Sequence, residues 1–180
     1  MRISLKIIVM VLIFMLLFSF STGCCIKPIP DGTIDEMKTI KNWGDACIQR
    51  VKMLKTYYKP ETKEYIEGQI YYMHAKDKSN EWLNDLVLDL NLNRNPSGNN
   101  SLLKEVTDQA VKFQDYVESV CLKEKVEKRF VIKVPTFENI MKALKAIWDA
   151  WRKANEEERE RIIKEIEELK WPDFNAIKQE

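Results

Sequence analysis

The sequence predicts an all-α fold, an antiparallel bundle of four to five helices in residues 33–180. Three observations favour this class. Apolar residues recur at spacings of three and four along several long segments, the period of an amphipathic helix. Prolines or clusters of glycine and asparagine separate these segments. Hydrophobic residues make up 45% of the chain and charges of both signs are interspersed, a composition typical of a folded core rather than of disorder.

The first predicted helix starts at Thr33 and runs to about Lys59. Thr33 and Glu36 match a capping box, and Pro60 ends the helix because a proline disfavours helical backbone in the residue before it. The apolar stripe of this helix consists of Ile34, Met37, Ile40, Trp43, Cys47, Val51, Leu54 and Tyr58.

The second predicted helix covers roughly residues 61–93 and ends in the loop "NRNPSGNN". Two of its faces are candidates for packing. One seam is apolar and then polar: Ile66, Ile70, Met73, Asp77, Asn80, Asn84 and Val87. The other has small residues that permit close approach of a neighbour: Gly68, Tyr72, Ala75, Ser79, Trp82 and Leu86. A helix with two usable faces belongs in the middle of a bundle.

Three further helices complete the predicted bundle. The third covers roughly residues 101–128, and "RFVIKVP" after it indicates an extended connection, since it is rich in β-branched residues and ends in proline. The fourth begins at Thr136. A fifth covers roughly residues 156–170, with Asn155 as its N-cap, Glu158 three residues later and Pro172 beyond its end. The third helix has the clearest stripe: Leu103, Val106, Ala110, Phe113, Val117 and Val120.

The N-terminal residues have the order of a secretory signal peptide. Arg2 and Lys6 precede an apolar run, and small residues lie before the doublet Cys24-Cys25. The run is about 14 residues long, short of the roughly 20 that a membrane-spanning helix needs. The stretch resembles the signal peptide and lipobox of bacterial lipoprotein precursors, with Gly23 and Cys24 at the last two positions.

This resemblance implies that Cys24 is lipidated and becomes the new N-terminus. Residues 1–23 are then a signal peptide, residues 24–32 a lipidated, extended tether, and residues 33–180 the helical domain. Because two or more acyl chains hold a protein stably on a bilayer, the expected location is the cell envelope, anchored to a membrane by lipid and facing the periplasm or the exterior. The absence of Asp after Cys24 would favour the outer membrane.

Composition excludes several classes of function. Removal of residues 1–23 takes away Arg2 and Lys6, so the net charge moves from +1 to roughly −1, which offers no general attraction for nucleic acid. His74 is the only histidine, so neither a multi-histidine metal site nor a Cys/His zinc site can be built. We therefore predict no metal, no cofactor and no nucleic-acid partner.

A polar patch on the second helix is the first candidate site. His74, Asp77, Asn80 and Asn84 interrupt its first seam, and polar groups on a core face must find hydrogen-bond partners or meet water. Three explanations compete: the seam opens to solvent there, a satisfied polar layer fixes the helix register, or the patch lines a ligand cleft. The first two are favoured.

Tyrosines around the first turn of the bundle are the second candidate site. Tyr57, Tyr58, Tyr65 and Tyr71 lie close together in the sequence, and tyrosine is a favoured residue of protein interfaces. The competing explanation is that aromatic residues at helical spacing are core residues. We expect the exposed members of the group to contact a partner.

Counting along antiparallel helices predicts a disulfide between Cys47 and Cys121. Cys47 lies about 13 residues before the turn at Pro60, level with Met73 on the second helix. If the third helix starts at the level where the second ends, residue 121 also comes level with Met73. An exported domain meets an oxidising compartment, where such a pair closes. Two buried thiols are the alternative, and Cys25 is left as an odd thiol.

The sequence favours a binding or scaffolding protein of the cell envelope over an enzyme. It contains no glycine-rich phosphate loop, nucleophile elbow or acidic metal loop, whereas its anchoring is specified. A protein partner is therefore expected. One alternative is an envelope small-ligand binder or hydrolase that uses the polar patch, and another is a protective lipoprotein of the phage or plasmid exclusion or immunity type.

Overall fold

The computed structural model describes residues 31–96, 100–123 and 134–179. These ranges hold five α-helices and one 3₁₀ turn, and they contain no strand, which confirms the all-α prediction. The connection "RFVIKVP" falls mostly outside them. The elements are α1 Asp31–Tyr57, α2 Lys63–Asn91, α3 Asn100–Lys123, α4 Phe137–Lys153, α5 Glu156–Glu168 and the turn η1 Phe174–Ala176.

Side-chain caps start three of the helices. Thr62 and Thr136 each accept a hydrogen bond from the backbone N–H three residues later, at α2 and α4. At α5 the predicted capping box is complete: Asn155 Oδ1 accepts from Glu158 N at 2.9 Å, and Glu158 Oε2 accepts from Asn155 N at 3.0 Å. These bonds satisfy N–H groups that no preceding helical carbonyl can reach. The start of α1 differs from the prediction: the helix includes Asp31, two residues before the predicted start at Thr33.

The first four helices alternate in direction, with α1 packed on α4 and α2 packed on α3. Tyr116 of α3 donates from its hydroxyl to Glu64 O near the start of α2, and Trp151 near the end of α4 donates from Nε1 to Asn93 Oδ1 just after α2. α5 packs on α2. The predicted antiparallel bundle is confirmed, with α5 as the fifth helix on its side.

The predicted stripes form the core. The third-helix stripe is buried throughout, as are the members of the first-helix stripe from Met37 to Leu54. Arg50 is fully buried among them; Nη1 donates to Ala46 O at 2.9 Å and Nη2 lies 2.6 Å from Glu118 Oε1 on α3. A buried guanidinium needs such partners, because an uncompensated charge in the core is strongly destabilising.

Residues 169–179, which we call the strap, follow α5 and lie along α1 and α2. Contacts tie the strap to α2 at Asn80, Lys76 and Tyr72 and to α1 at Lys55. Trp171, Phe174 and Ile177 of the strap are buried. The strap therefore closes the groove between the first two helices and completes the core.

None of the helices in the described ranges combines the length and the apolar content that crossing a membrane requires.

Candidate functional site

The outer face of α2 carries an exposed apolar ridge. Ile66, Ile70 and Met73 are 47%, 49% and 45% exposed, and their i, i+4, i+7 spacing places them in one row about 10 Å long. The other faces of α2 are covered by α1, α3, α5 and the strap. The first seam of the predicted helix is thus turned to solvent, whereas the second seam, with Gly68 and Tyr72, is buried.

The ridge has a polar rim of both charges. At its N-terminal end, Lys63 Nζ lies 3.6 Å from Glu67 Oε1. At its C-terminal end, Asp77 Oδ1 lies 3.2 Å from Lys76 Nζ. Lys63 and Asp77 are largely exposed. An apolar centre with a polar border is the usual anatomy of a protein-binding surface.

The four predicted contact tyrosines divide into two groups. Tyr57 and Tyr71 are exposed; the Tyr71 ring packs at 5.0 Å on the Tyr116 ring beside the ridge. Tyr58 and Tyr65 are partly buried and serve the fold, because Tyr58 donates from its hydroxyl to Val120 O at 2.8 Å and Tyr65 packs edge-on against Phe174. Tyr57 and Tyr71 are therefore available for a partner.

The predicted polar patch lies mostly on the exposed surface of α2. His74, Asp77 and Asn84 are exposed on α2, so this part of the seam opens to solvent. Asn80 differs: its Nδ2 donates to Trp171 O at 3.2 Å, and its Oδ1 accepts from Trp171 N at 2.9 Å. Three of these side chains thus meet water, and the fourth is satisfied by the strap.

Helix side chains hold the strap by its main chain. Lys55 Nζ donates to Phe174 O at 2.6 Å and to Ile177 O at 2.7 Å. Tyr72 donates from its hydroxyl to Pro172 O at 2.8 Å, and Asn80 adds the two bonds to Trp171. Burial lowers the pKa of Lys55 and raises that of Tyr72. Five main-chain groups of the strap are thereby satisfied by three side chains.

Aromatic side chains anchor the strap between the helices. Trp171 packs edge-on against Trp43 at 5.6 Å and stacks on Tyr72 at 6.1 Å. Phe174 packs edge-on against Tyr72, and Lys55 Nζ lies 4.7 Å from the centre of its ring. The sequence predicted only that the fifth helix ends before Pro172. The recurrence of large apolar residues at every third position of "WPDFNAI" was the available signal that this stretch packs.

A cleft of about 550 Å³ lies where the end of α1 meets the strap. Its walls include three of the four predicted contact tyrosines, Tyr57, Tyr58 and Tyr65. Lys55 of α1 and Ile177 of the strap also line it. The cleft is thus formed by residues that also position the strap, and it changes shape if the strap moves.

The predicted disulfide between Cys47 and Cys121 is absent from the structure, although both residues are buried as expected. Tyr58, at the end of α1, reaches Val120 O, so Cys121 lies roughly ten residues, or 15 Å, beyond Cys47 along the bundle. A disulfide needs Cα atoms within about 7 Å.

The prediction failed because it placed α3 at the wrong level relative to α2. Lys78 contacts Glu105, and Tyr72 contacts Phe113. The start of α3 therefore lies beside an earlier part of α2 rather than level with the end of α2. Cys24 and Cys25 lie outside the described residues.

No family model, curated protein or solved structure matches this chain.

Proposed function

We propose that this protein is a lipid-anchored cell-envelope protein that acts by binding another protein through the apolar ridge of α2. The observation that carries the proposal is the exposure of Ile66, Ile70 and Met73 in one row. Large apolar side chains grouped on a helix surface lose free energy by leaving water, at about 25 cal/mol per Å² of buried apolar area.

The shape of the ridge suits a helix as the partner. A row at i, i+4, i+7 is the apolar stripe through which amphipathic helices pack on one another. Tyr71 beside the row adds an aromatic contact of the kind enriched in interfaces. We therefore expect the partner to present an amphipathic helix whose apolar stripe covers Ile66 to Met73.

The anchoring half of the proposal rests on the N-terminal residues. Arg2, Lys6, the apolar run and the Gly23-Cys24 pair match a lipoprotein signal. Lipid on Cys24 would hold the bundle close to a membrane surface, since only the short segment "CIKPIP" separates that residue from α1. Binding of an envelope partner would then occur beside the bilayer.

Site-specific crosslinking in cells tests the binding surface. A photoreactive amino acid at Met73 should give one crosslinked partner, and Ile70→Asp in the same chain should abolish that product, because a charge in the row opposes burial. Leu88→Asp is the matched control, since Leu88 is also exposed on α2 but lies beyond the row. A product that survives Ile70→Asp, or the lack of any product at Met73, would exclude the ridge as the binding surface.

Metabolic labelling tests the anchor separately. Wild-type protein labelled with a fatty-acid analogue should carry the label and partition with membranes into detergent, whereas Cys24→Ser should leave an unlabelled, uncleaved precursor. If the wild-type protein carried no label, the protein would be secreted without a lipid anchor. The proposal for the ridge would still stand.

A further inference from the structure

The groove between α1 and α2 has the properties of a peptide-binding site. The polar groups of Lys55, Tyr72 and Asn80 form hydrogen bonds with main-chain carbonyl and amide groups of the strap. Recognition of a main chain by fixed donors, with pockets for selected side chains, is the general mode in which proteins bind peptides. The strap thus lies in the groove as a peptide ligand would.

Two pockets select the side chains of this peptide. Trp171 lies over Gly44, where an added Cβ would come within 2.9 Å of the indole nitrogen, so only the absence of a side chain at residue 44 leaves room for the indole. Phe174 fits between Tyr65 and Tyr72. The groove therefore favours an aromatic residue at each of two positions three residues apart.

Charge adds a third element of recognition. Lys76 Nζ lies 2.7 Å from Asp173 Oδ1, between the two aromatic anchors, and this hydrogen bond is the main cause of the raised pKa of Lys76. The strap sequence Trp-Pro-Asp-Phe thus matches the groove at consecutive positions by shape, main-chain bonding and charge.

The strap is joined to the bundle in a way that permits it to leave. α5 ends at Glu168, and Lys170 after it is exposed, with a backbone N–H that makes only a 3.4 Å bond to Glu167 O. α5 packs on α2, and its residues Ile162 and Ile166 are buried. The strap follows the end of α5, so rotation of the backbone near Lys170 would swing the strap out of the groove without unwinding α5.

We propose that the α1–α2 groove binds the strap of a second copy of this chain, so that copies associate by exchanging residues 171–177. The second copy is the partner because the sequence that fits both pockets and pairs with Lys76 is the chain's own. Within one copy the strap competes at an effective concentration of about 1 mM, as for short tethers. Exchange is accordingly favoured where copies are concentrated. This inference uses a different surface from the ridge and does not depend on it.

Complementation between two full-length variants tests the exchange. Trp171→Ala/Phe174→Ala weakens the strap and leaves the groove intact, whereas Gly44→Leu fills the tryptophan pocket and leaves the strap intact. Each variant alone should be monomeric by native mass spectrometry, and their mixture should form a heterodimer. The far-ultraviolet circular dichroism of each variant should match that of the wild type, as the control for folding.

A labelled peptide gives the affinity directly. Fluorescence anisotropy with the peptide "LKWPDFNAIKQ" should show binding to Trp171→Ala/Phe174→Ala at least tenfold tighter than to wild type, whose groove is filled. If the double variant does not fold, Phe174→Leu, which keeps an apolar side chain, takes its place with the same direction of effect.

Two results would overturn the proposal. One is a folded strap variant that binds neither the Gly44→Leu protein nor the peptide. The other is equal binding of a control peptide with alanine at both aromatic positions, because the groove would then accept any chain and the strap of a second copy would have no preference.

Discussion

Replacement of Gly68 by alanine probes the closest approach of α1 and α2. An ideal Cβ at Gly68 would lie 2.4 Å from Leu54 Cδ1, and Leu54 is fully buried, so its side chain has no open space to move into. Overpacking of this kind costs about 1–3 kcal/mol, whereas alanine in place of glycine in a helix stabilises by up to about 1 kcal/mol. We expect Gly68→Ala to lower the free energy of unfolding by about 1 kcal/mol.

A double-mutant cycle with Leu54→Ala isolates this contact. Leu54→Ala alone should cost about 2–5 kcal/mol through the cavity that it leaves. In that background the clashing methyl group is gone, so Gly68→Ala should become stabilising by up to about 1 kcal/mol. Urea unfolding followed by circular dichroism measures all four free energies. Additive effects, or stabilisation by Gly68→Ala in the wild-type background, would refute the packing of Gly68 against Leu54.

Two further predictions concern the buried thiol and the strap. Burial raises the pKa of the Cys47 thiol to about 12, an effect that nearby Arg50 partly opposes; the folded state thus keeps a proton that the unfolded chain loses near pH 8.5. The contribution of Cys47 to stability should be full below that pH and fall by about 1.4 kcal/mol per pH unit above it. The difference between the urea midpoints at pH 8 and pH 10 should therefore be smaller in Cys47→Ala than in the wild type, and an unchanged difference would contradict this. Asn80→Ala should lower the free energy of unfolding by about 1–3 kcal/mol because it leaves the backbone groups of Trp171 unpaired. Asn84→Ala, at an exposed position, should change that free energy by less than about 0.5 kcal/mol. Limited proteolysis should cut the strap sooner in Asn80→Ala only, and equal rates in both variants would show that Asn80 does not hold the strap.

Periodicity in the sequence identified the helices and most of the buried residues. The stripe of α3 from Leu103 to Val120 is buried as predicted, and the capping box of Asn155 starts α5 as predicted. These signals are local, since they depend only on residues within a turn or two of each other. They could therefore be recognised without knowledge of the tertiary contacts.

The choice between the two faces of α2 could not be made in the same way. Both seams have helical spacing, yet Gly68 and Tyr72 are buried whereas Ile66 and Ile70 are exposed. Burial depends on which neighbours surround a helix, and one of these neighbours is the strap, about 100 residues further along the chain at Pro172. A pattern within one helix carries no information about such a contact.

The predicted position of Cys121 relative to Cys47 along the bundle was wrong for a related reason. Helix lengths were close to those predicted, but the level at which α3 begins relative to α2 does not follow from residue spacing within the helices. A shift of a few turns moves two cysteines out of reach of each other. The relative position of the helices, rather than helix content, limited the prediction of this candidate site.

Because the strap is held by its main chain and by its buried side chains, its exposed positions are open to evolutionary drift and to engineering. Lys55, Tyr72 and Asn80 bind carbonyl and amide groups that change little with the identity of the side chain. Asn175 and Ala176 point to solvent, so related chains should vary freely there, and a dye attached at residue 175 would report on the strap without disturbing how it is held.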